Sequence, residues 1–437
     1  MAVTEFSRRR RQLMREMEAN AIAVIPAAPE SLRNGDVHYP YRQDSDFFYL
    51  SGFNEPEAVI VLVPDREPGE YILFCRERNQ EQETWHGRRS GQRGAIDEYG
   101  ADDSFPITDI NDILPGLMEN REKVFYTMGR YPEFDKRMLE WVNRVKQNSR
   151  SGVRAPTEFV ALEYLLNEMR LFKTTKEQKQ MRRAGKIAAT AHRRAMRLCK
   201  PGLYEYQLEA ELLYEFHRNG GQAAYSSIVG AGVNGCILHY TENRSKLADG
   251  ELVLIDAGVE YQGYASDLTR TFPVNGEFSS IQRELYEIVL AAQQAAIDEA
   301  IAGNHWNDPH DAAVKEITRG LINVGLLRGS RAELIKKEAH KRFYMHRTGH
   351  WLGMDVHDVG DYKVSGEWRL LEPGMVMTIE PGIYITAADD IPKELHNIGI
   401  RIEDDVLVTQ DHNEVLTQNA PKTVAEIEAE MRCEQFA

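Results

Sequence analysis

Four carboxylates stand where an apolar strand would ordinarily carry a hydrocarbon side chain, and nothing else constrains the fold of this 437-residue chain as strongly. Leu252-Val-Leu-Ile-Asp256 ends a β-branched run in an acid, and Asp267-Leu-Thr-Arg-Thr-Phe carries another inside a strand-like segment. Thr378-Ile-Glu380-Pro-Gly382 and Ile400-Arg-Ile-Glu403 repeat the pattern. One such acid usually turns to solvent. Four of them bordered by apolar residues need partners, because a buried charge without one is costly.

A turn centred on Tyr261-Gln262 would join a strand over 252–255 to one over 264–274. Asp256 and Asp267 would then face each other with Cβ atoms roughly 4.5–5.5 Å apart. Like charges so placed repel unless a cation sits between them. Arg270 is the plain alternative partner, but it lies an odd number of residues from Asp267 and points to the other face. The same period puts Arg401, Glu403 and Asp405 on one face and Ile400 and Ile402 on the other. The two halves of the pattern echo each other: apolar strand, acid, spacer, glycine, then a second acid downstream.

Three of the thirteen histidines fall within His346-Arg-Thr-Gly-His350-Trp-Leu-Gly-Met-Asp-Val-His357. Gly349 and Gly353 weaken a helix here, so the segment is expected to be an irregular loop with a short strand, a common place for functional groups. Four carboxylates with one or more imidazoles and no thiolate suit Mn²⁺, Co²⁺ or Zn²⁺ better than soft metals. They carry enough charge for two divalent ions. Such a pair, roughly 3.5–4 Å apart, polarises a carbonyl and activates water. From the residues alone, the expectation is a dinuclear metallohydrolase.

Other classes fit less well. Gly230-Ala-Gly232-Val-Asn-Gly235 spells a dinucleotide fingerprint, but the short, β-leaning segment after it cannot place a helix N-terminus under a pyrophosphate. A flexible loop is expected there, and Cys236 near His239 is expected to be a small buried hydrophobe. The net charge of −15 argues against general affinity for nucleic acid or anionic membranes. No apolar run approaches the ~18–20 residues that span a bilayer. The charged N-terminal segment has no apolar stretch directly behind it, as a signal peptide would. Four cysteines without Cys-x-x-Cys spacing suit a reducing compartment, so a cytoplasmic protein is expected.

Residues 22–25, 47–50, 58–63 and 71–75 read as strands and 135–145 as a helix, suggesting an α/β domain. A polar stretch over 147–156 looks like a linker. Helical patterns follow at 157–170, 176–198, 204–217, 280–300 and 309–324, with further strands at 375–384 and 400–409. This half reads as α+β.

With these strings in place, L-I-D-A-G, S-D-L-T-R-T-F, H-W-L-G-M-D-V-H-D, I-E-P-G and G-I-R-I-E-D-D, the chain resembles the pita-bread metallopeptidases, which include methionine aminopeptidase, prolidase and aminopeptidase P. The match runs over nearly the whole length. The N-terminal stretch from Tyr39 through Phe47 and Leu50 to Ala58, with Trp85-His-Gly-Arg-Arg, is more similar to the aminopeptidase P type than to prolidase. The resemblance implies an α/β N-terminal domain over 1–172 and an α+β pita-bread catalytic domain over 173–437.

It also implies a metalloaminopeptidase that releases the residue preceding proline from a peptide N-terminus by a metal-activated hydroxide. Asp256 would bind one of two ions, normally Mn²⁺ with Co²⁺ or Zn²⁺ as substitutes. Asp267 and Glu403 would bridge both, while His350 and Glu380 complete the second. Glu380 would also relay a proton. His239 and His357 would orient substrate, His346 would join the proline pocket, and Arg401 would support Asp256. Asp36, Arg154 or Arg150, and Arg369 would form a charged network at the cleft mouth, and Trp85 would line the cleft, that of a neighbouring subunit in a dimer or tetramer. Prolidase, or a non-catalytic peptide-binding module of the same fold, is the alternative. Two departures stand out: relatives often read H-G-x-S-H where this chain has His346-Arg-Thr-Gly-His350, and Ala302-Gly303 replaces a common Pro-Gly. Arg347 is therefore expected to bear on specificity.

Overall fold

The β-branched run Ala21–Pro26 is buried along its whole length and forms an inner strand of a six-stranded sheet. The computed structural model describes residues 4–433 and divides into two compact units, Met1–Met169 and Arg170–Ala437. In the first, the sheet runs in the order Asp103–Pro106, Tyr71–Cys75, Val59–Leu62, Ala21–Pro26, Lys123–Tyr126, Glu158–Ala161. Ala21–Pro26 pairs antiparallel with Val59–Leu62 and parallel with Lys123–Tyr126. Ile22, Val24, Val61, Phe74 and Trp141 build its core.

Two expectations for this unit change. Residues 47–50 are not a strand but part of the helix Ser45–Ser51. The Asp44 carboxylate accepts the Phe47 N–H, and Gly52 closes the helix at φ 67°; these caps outweigh the β-leaning aromatic run. Residues 157–170 are not one helix either. Glu158–Ala161 pairs parallel with Lys123–Tyr126 before the helix Glu163–Leu171 begins.

The second unit separates helices from small antiparallel sheets, as expected of an α+β half. Thr175–Leu198 starts at a reciprocal cap, with the Thr174 hydroxyl accepting the Glu177 N–H and the Glu177 carboxylate accepting the Thr174 N–H. Its alanine-rich face (Ala184, Ala188, Ala191, Ala195) is buried in the core of this unit, together with residues of Glu205–Arg218, Ser280–Glu299 and Asp308–Asn323. One sheet orders Ile228–Ala231, Leu252–Asp256, Thr269–Pro273, and another Val376–Ile379, Asp404–Val408, Asn413–Val415. Gly382–Ile385 pairs with Ile398–Arg401.

The strand pairing corrects the expected hairpin. The residue opposite Asp256 is Thr269, not Asp267, because a separate ribbon, Val259–Tyr261 with Tyr264–Ala265, intervenes. Asp267 lies in the connection between Tyr264–Ala265 and Thr269–Pro273. Residues 375–384 likewise divide into two strands of different sheets, broken at Glu380-Pro381, and residues 400–409 divide at Ile402-Glu403. Both breaks occur at an acid.

The glycine motif at 230–235 is a strand end and a 3-10 turn, Gly232–Cys236, rather than a flexible loop. A Cβ on Gly399 would lie 2.1 Å from the Gly235 carbonyl oxygen, so close backbone approach explains glycine there.

Candidate metal centre

Asp256 closes its strand, Asp267 follows a ribbon, and Glu380 and Glu403 occupy strand breaks. All four, with His350, line a cavity of about 380 Å³ in the second unit. His350 reaches it because Gly349 lies flat against Val376–Ile379: a Cβ on Gly349 would stand 2.0 Å from the Thr378 carbonyl oxygen. The Thr378 N–H donates to the His350 carbonyl oxygen and the Thr378 hydroxyl accepts the His350 N–H, which fixes that residue's backbone on both sides. The His350 Nδ1 lies 2.9 Å from the Trp351 carbonyl oxygen. With Nδ1–H donating there, Nε2 faces the carboxylates of the cavity, the orientation that metal-binding imidazoles require.

The ligand atoms of Asp267, His350 and Glu403 all lie within 4.8 Å of one another. Nε2 of His350 is 3.4 Å from Asp267 Oδ2 and 3.8 Å from Glu380 Oε1. Around this triad the carboxylates are held by donors. Tyr225 places its hydroxyl 2.5 Å from both Asp256 Oδ1 and Asp267 Oδ1. Thr269 donates to Glu403 Oε2 at 2.6 Å, and Arg401 Nη2 to Asp256 Oδ2 at 2.7 Å. Asp405 accepts the Asp267 backbone N–H.

Electrostatics shows what the cluster lacks. Burial, reinforced by Asp267 and Glu380, drives Glu403 well above the usual carboxylate range. Burial raises Asp256 despite Arg401, and lifts Glu380 to about 7 against His350 and Arg401. Against the upward push of burial, hydrogen bonds from His350 and Tyr225 hold Asp267 low. Against the downward push of burial, Asp267 and Glu380 lift His350 to about 9. Four acids thus share Arg401 and one imidazolium, too little positive charge for full ionisation. An oxygen-rich set with one imidazole fits hard or borderline divalent cations.

Stripped of cations, this protein is expected to lose stability as pH rises. An acid with a raised folded pKa binds more protons folded than unfolded, and a histidine with a raised pKa does the same. Glu380 contributes this between its ordinary value and about 7, and His350 between its ordinary value and about 9. Chelated protein should therefore melt lower at pH 8 than at pH 5.5. Divalent ions should remove much of that slope. A chelated protein whose melting temperature climbs steadily over this interval would contradict the account.

The remaining candidate residues divide into three groups. His239, His346 and His357 line the same cavity. The His357 ring centroid is 4.4 Å from that of His350. Burial and Arg401 keep His346 neutral at neutral pH, with a pKa of about 4. Its Nδ1 lies 2.7 Å from the Arg347 carbonyl oxygen, and its Nε2 2.8 Å from the Tyr384 hydroxyl. Tyr384 also accepts from Arg401 Nη1 at 3.0 Å, which completes a directed chain from Asp256 to His346. Arg369 is half-buried in the second unit, outside the cavity lining, with its guanidinium 5.7 Å from the Phe172 ring. Asp36, Trp85 and Arg154 belong to the first unit and are exposed, Asp36 at a hairpin tip, Trp85 on the helix Gln80–His86; Arg150 is also exposed there, in a 3-10 turn.

Several residues that hold the site carried no signal in the sequence. Tyr225, Thr269 and Tyr384 are ordinary strand or loop residues until the fold aims them at a carboxylate. Glu205, fully buried, accepts from the Ala231 and Ser245 N–H groups, Asn234 and Tyr240, and so anchors the loop that carries His239.

Residues 179–410 match the sequence profile of metallopeptidase family M24, and residues 6–126 that of the aminopeptidase P N-terminal domain. The chain is 46% identical to an Escherichia coli (strain K12) protein named Xaa-Pro aminopeptidase, over 98% of this chain and 97% of that one. The structure of Pseudomonas aeruginosa aminopeptidase PepP superimposes with a TM-score of 0.97 at 58% identity, covering 99% of this chain and 98% of that chain. A variant of E. coli aminopeptidase P in complex with substrate gives 0.96 at 45% identity, covering 99% and 98%.

Proposed function

The chain belongs to metallopeptidase family M24, with the pita-bread fold behind an aminopeptidase P N-terminal domain, and from that premise we propose that it releases the N-terminal residue of peptides with proline second. It is a metal-dependent aminopeptidase acting on peptide substrates. The observation that carries the reading is the convergence of Asp267, His350 and Glu403 within 4.8 Å at the wall of an open cavity.

In this reading Asp256, Asp267, His350, Glu380 and Glu403 hold two divalent ions, Mn²⁺ first, with Co²⁺ or Zn²⁺ as substitutes. When bound, such a pair polarises the scissile carbonyl and lowers the pKa of water between the two ions. The chain's own residues supply the rest. Arg401 fixes Asp256 by a charge-assisted bond, and Tyr384 fixes Arg401. Glu380, at the cavity wall, relays a proton through its carboxylate oxygens. His239 and His357 orient the substrate, and neutral His346 packs beside the proline ring. Proline requires such a dedicated site because its amide lacks an N–H and its ring fixes φ.

Residues 1–172 form the N-terminal domain and 173–437 the catalytic one; the division of the chain at Met169 and Arg170 supports this. Asp36, Arg154 or Arg150, and Arg369 serve the cleft mouth. Trp85, 77% exposed on a helix with no buried residue, supports assembly into a dimer or tetramer that covers it. Four free cysteines support a cytoplasmic setting. No helix among the described residues is long and apolar enough to cross a membrane.

Release of Arg from Arg-Pro-Pro with added Mn²⁺, abolished by a chelator and restored by the ion, is the expected result. Cleavage of dipeptides only would replace this reading with prolidase. A protein that takes up no divalent ion would replace it with the peptide-binding module.

A further inference from the structure

Arg347, an exposed arginine of the cavity lining, has no ion-pair partner of its own among the described residues. It lines the cavity beside His346, and its Nη2 donates to the Asn307 side-chain oxygen at 2.5 Å. Its guanidinium carbon stands 4.9 Å from the Trp368 ring centroid. Both partners are neutral. Among the described residues no carboxylate lies within 4.0 Å of it, whereas the other cavity-lining arginine, Arg401, is paired with Asp256. A second cation uses the same indole: Lys363 Nζ lies 4.4 Å from the Trp368 centroid, also without a carboxylate partner among the described residues.

Two like charges sharing one aromatic ring repel each other, and the ring's attraction is worth only about 0.5–1 kcal/mol at an exposed site. A guanidinium held by an amide and an indole keeps its planar fork in one orientation, with most of its donors unused. An arrangement of this kind is complementary to an incoming carboxylate, which would bind Arg347 by charge-assisted bonds while Lys363 adds a longer-range attraction.

We propose that Arg347, assisted by Lys363, selects peptides that carry a carboxylate just beyond the proline. The carboxylate is either the C-terminus of a tripeptide or an acidic third side chain. This inference rests on the Xaa-Pro reading above and adds to it a substrate class. The contact lies away from the bond that breaks, so it is made equally in the bound and reacting states and acts mainly through KM.

The test uses four peptides with the metal-loaded, full-length enzyme: Arg-Pro-Ala as free acid and as amide, and the amides of Arg-Pro-Glu and Arg-Pro-Gln. The wild type is expected to favour the carboxylate member of at least one pair by about 10-fold in kcat/KM, and higher salt should narrow the gap. An acid-over-amide preference identifies the C-terminus, and a Glu-over-Gln preference the side chain. Arg347→Gln should bring the ratio close to one, Arg347→Lys should keep part of it, and Lys363→Gln should lower it less. A wild-type ratio of one, or one that survives Arg347→Gln, overturns this inference and leaves the peptidase reading standing. Release of Arg from none of the four overturns both.

Discussion

Glu403→Gln is expected to lower kcat/KM on Arg-Pro-Pro by roughly 1000-fold or more, because it removes an anionic oxygen from the place where activation of water depends on the bound cations. The amide has nearly the shape of the carboxyl group and can still accept the bond from Thr269, so the loss is one of charge rather than of packing. Metal content after purification should fall below that of the wild type. Stability should move in the opposite direction once metal is removed. Glu403 is 2% exposed, and burial holds its pKa well above the ordinary range. Keeping its proton, or losing it in a buried site, costs the chelated wild type stability as pH rises above the unfolded value. Gln avoids that cost. Chelated Glu403→Gln should therefore melt no lower than chelated wild type at pH 8, while divalent ions should stabilise it far less. A variant with a tenth of wild-type activity and a full complement of metal would refute the assigned role.

Asp404→Ala should give the largest loss of stability, although the side chain never reaches the cavity. Asp404 and Arg270 are both fully buried and joined at 2.8 Å. The same carboxylate accepts from Thr417, Gln293 and Lys422. Removing it leaves a guanidinium uncompensated in the interior, a change that costs about 3–5 kcal/mol. At roughly 2–4 °C per kcal/mol for a unit of this size, the melting temperature should fall by about 6–20 °C. Activity should fall with it, because Arg270 Nη1 donates to the Glu403 carbonyl oxygen and fixes the backbone of that residue.

Burial raises the Asp404 pKa, but Arg270 and Lys422 outweigh it and hold the group strongly depressed. Its contribution is therefore complete above the ordinary carboxylate value and is lost only as pH falls toward the much lower folded value. Replacing both partners, Arg270→Met with Asp404→Leu, should recover much of the stability without restoring the support to Glu403. A double variant as unstable as Asp404→Ala would show that packing, not the stranded charge, dominates.

Much of this site could be read from the chain because its residues break local rules. Acids at 256, 267, 380 and 403 interrupt apolar strands, and a strand tolerates that only when something nearby rewards it. The histidines at 346, 350 and 357 crowd a glycine-broken loop. Long helices were equally visible in the helical patterns over 176–198 and 280–300, and the structure starts them at the reciprocal caps of Thr174 with Glu177 and Ser279 with Gln282. Phe47 to Leu50 misled because four apolar residues resemble a strand as much as a buried helix, and only the flanking Asp44 and Gly52 distinguish them.

What the sequence by itself determined is therefore chemistry and local pattern: which groups can bind a hard cation, where most of the long helices run, and that carboxylates sit among apolar strand residues. The tertiary structure alone decided which of them meet. Asp256 faces Thr269 because a ribbon inserted between the strands shifts the register, and Tyr225, Tyr384 and Arg270 become supports only through contacts 31, 17 and 133 residues away in sequence. Local propensity acts over a turn or a strand pair. Convergence across such separations is set by how the whole unit buries its apolar surface, and no short segment encodes that on its own.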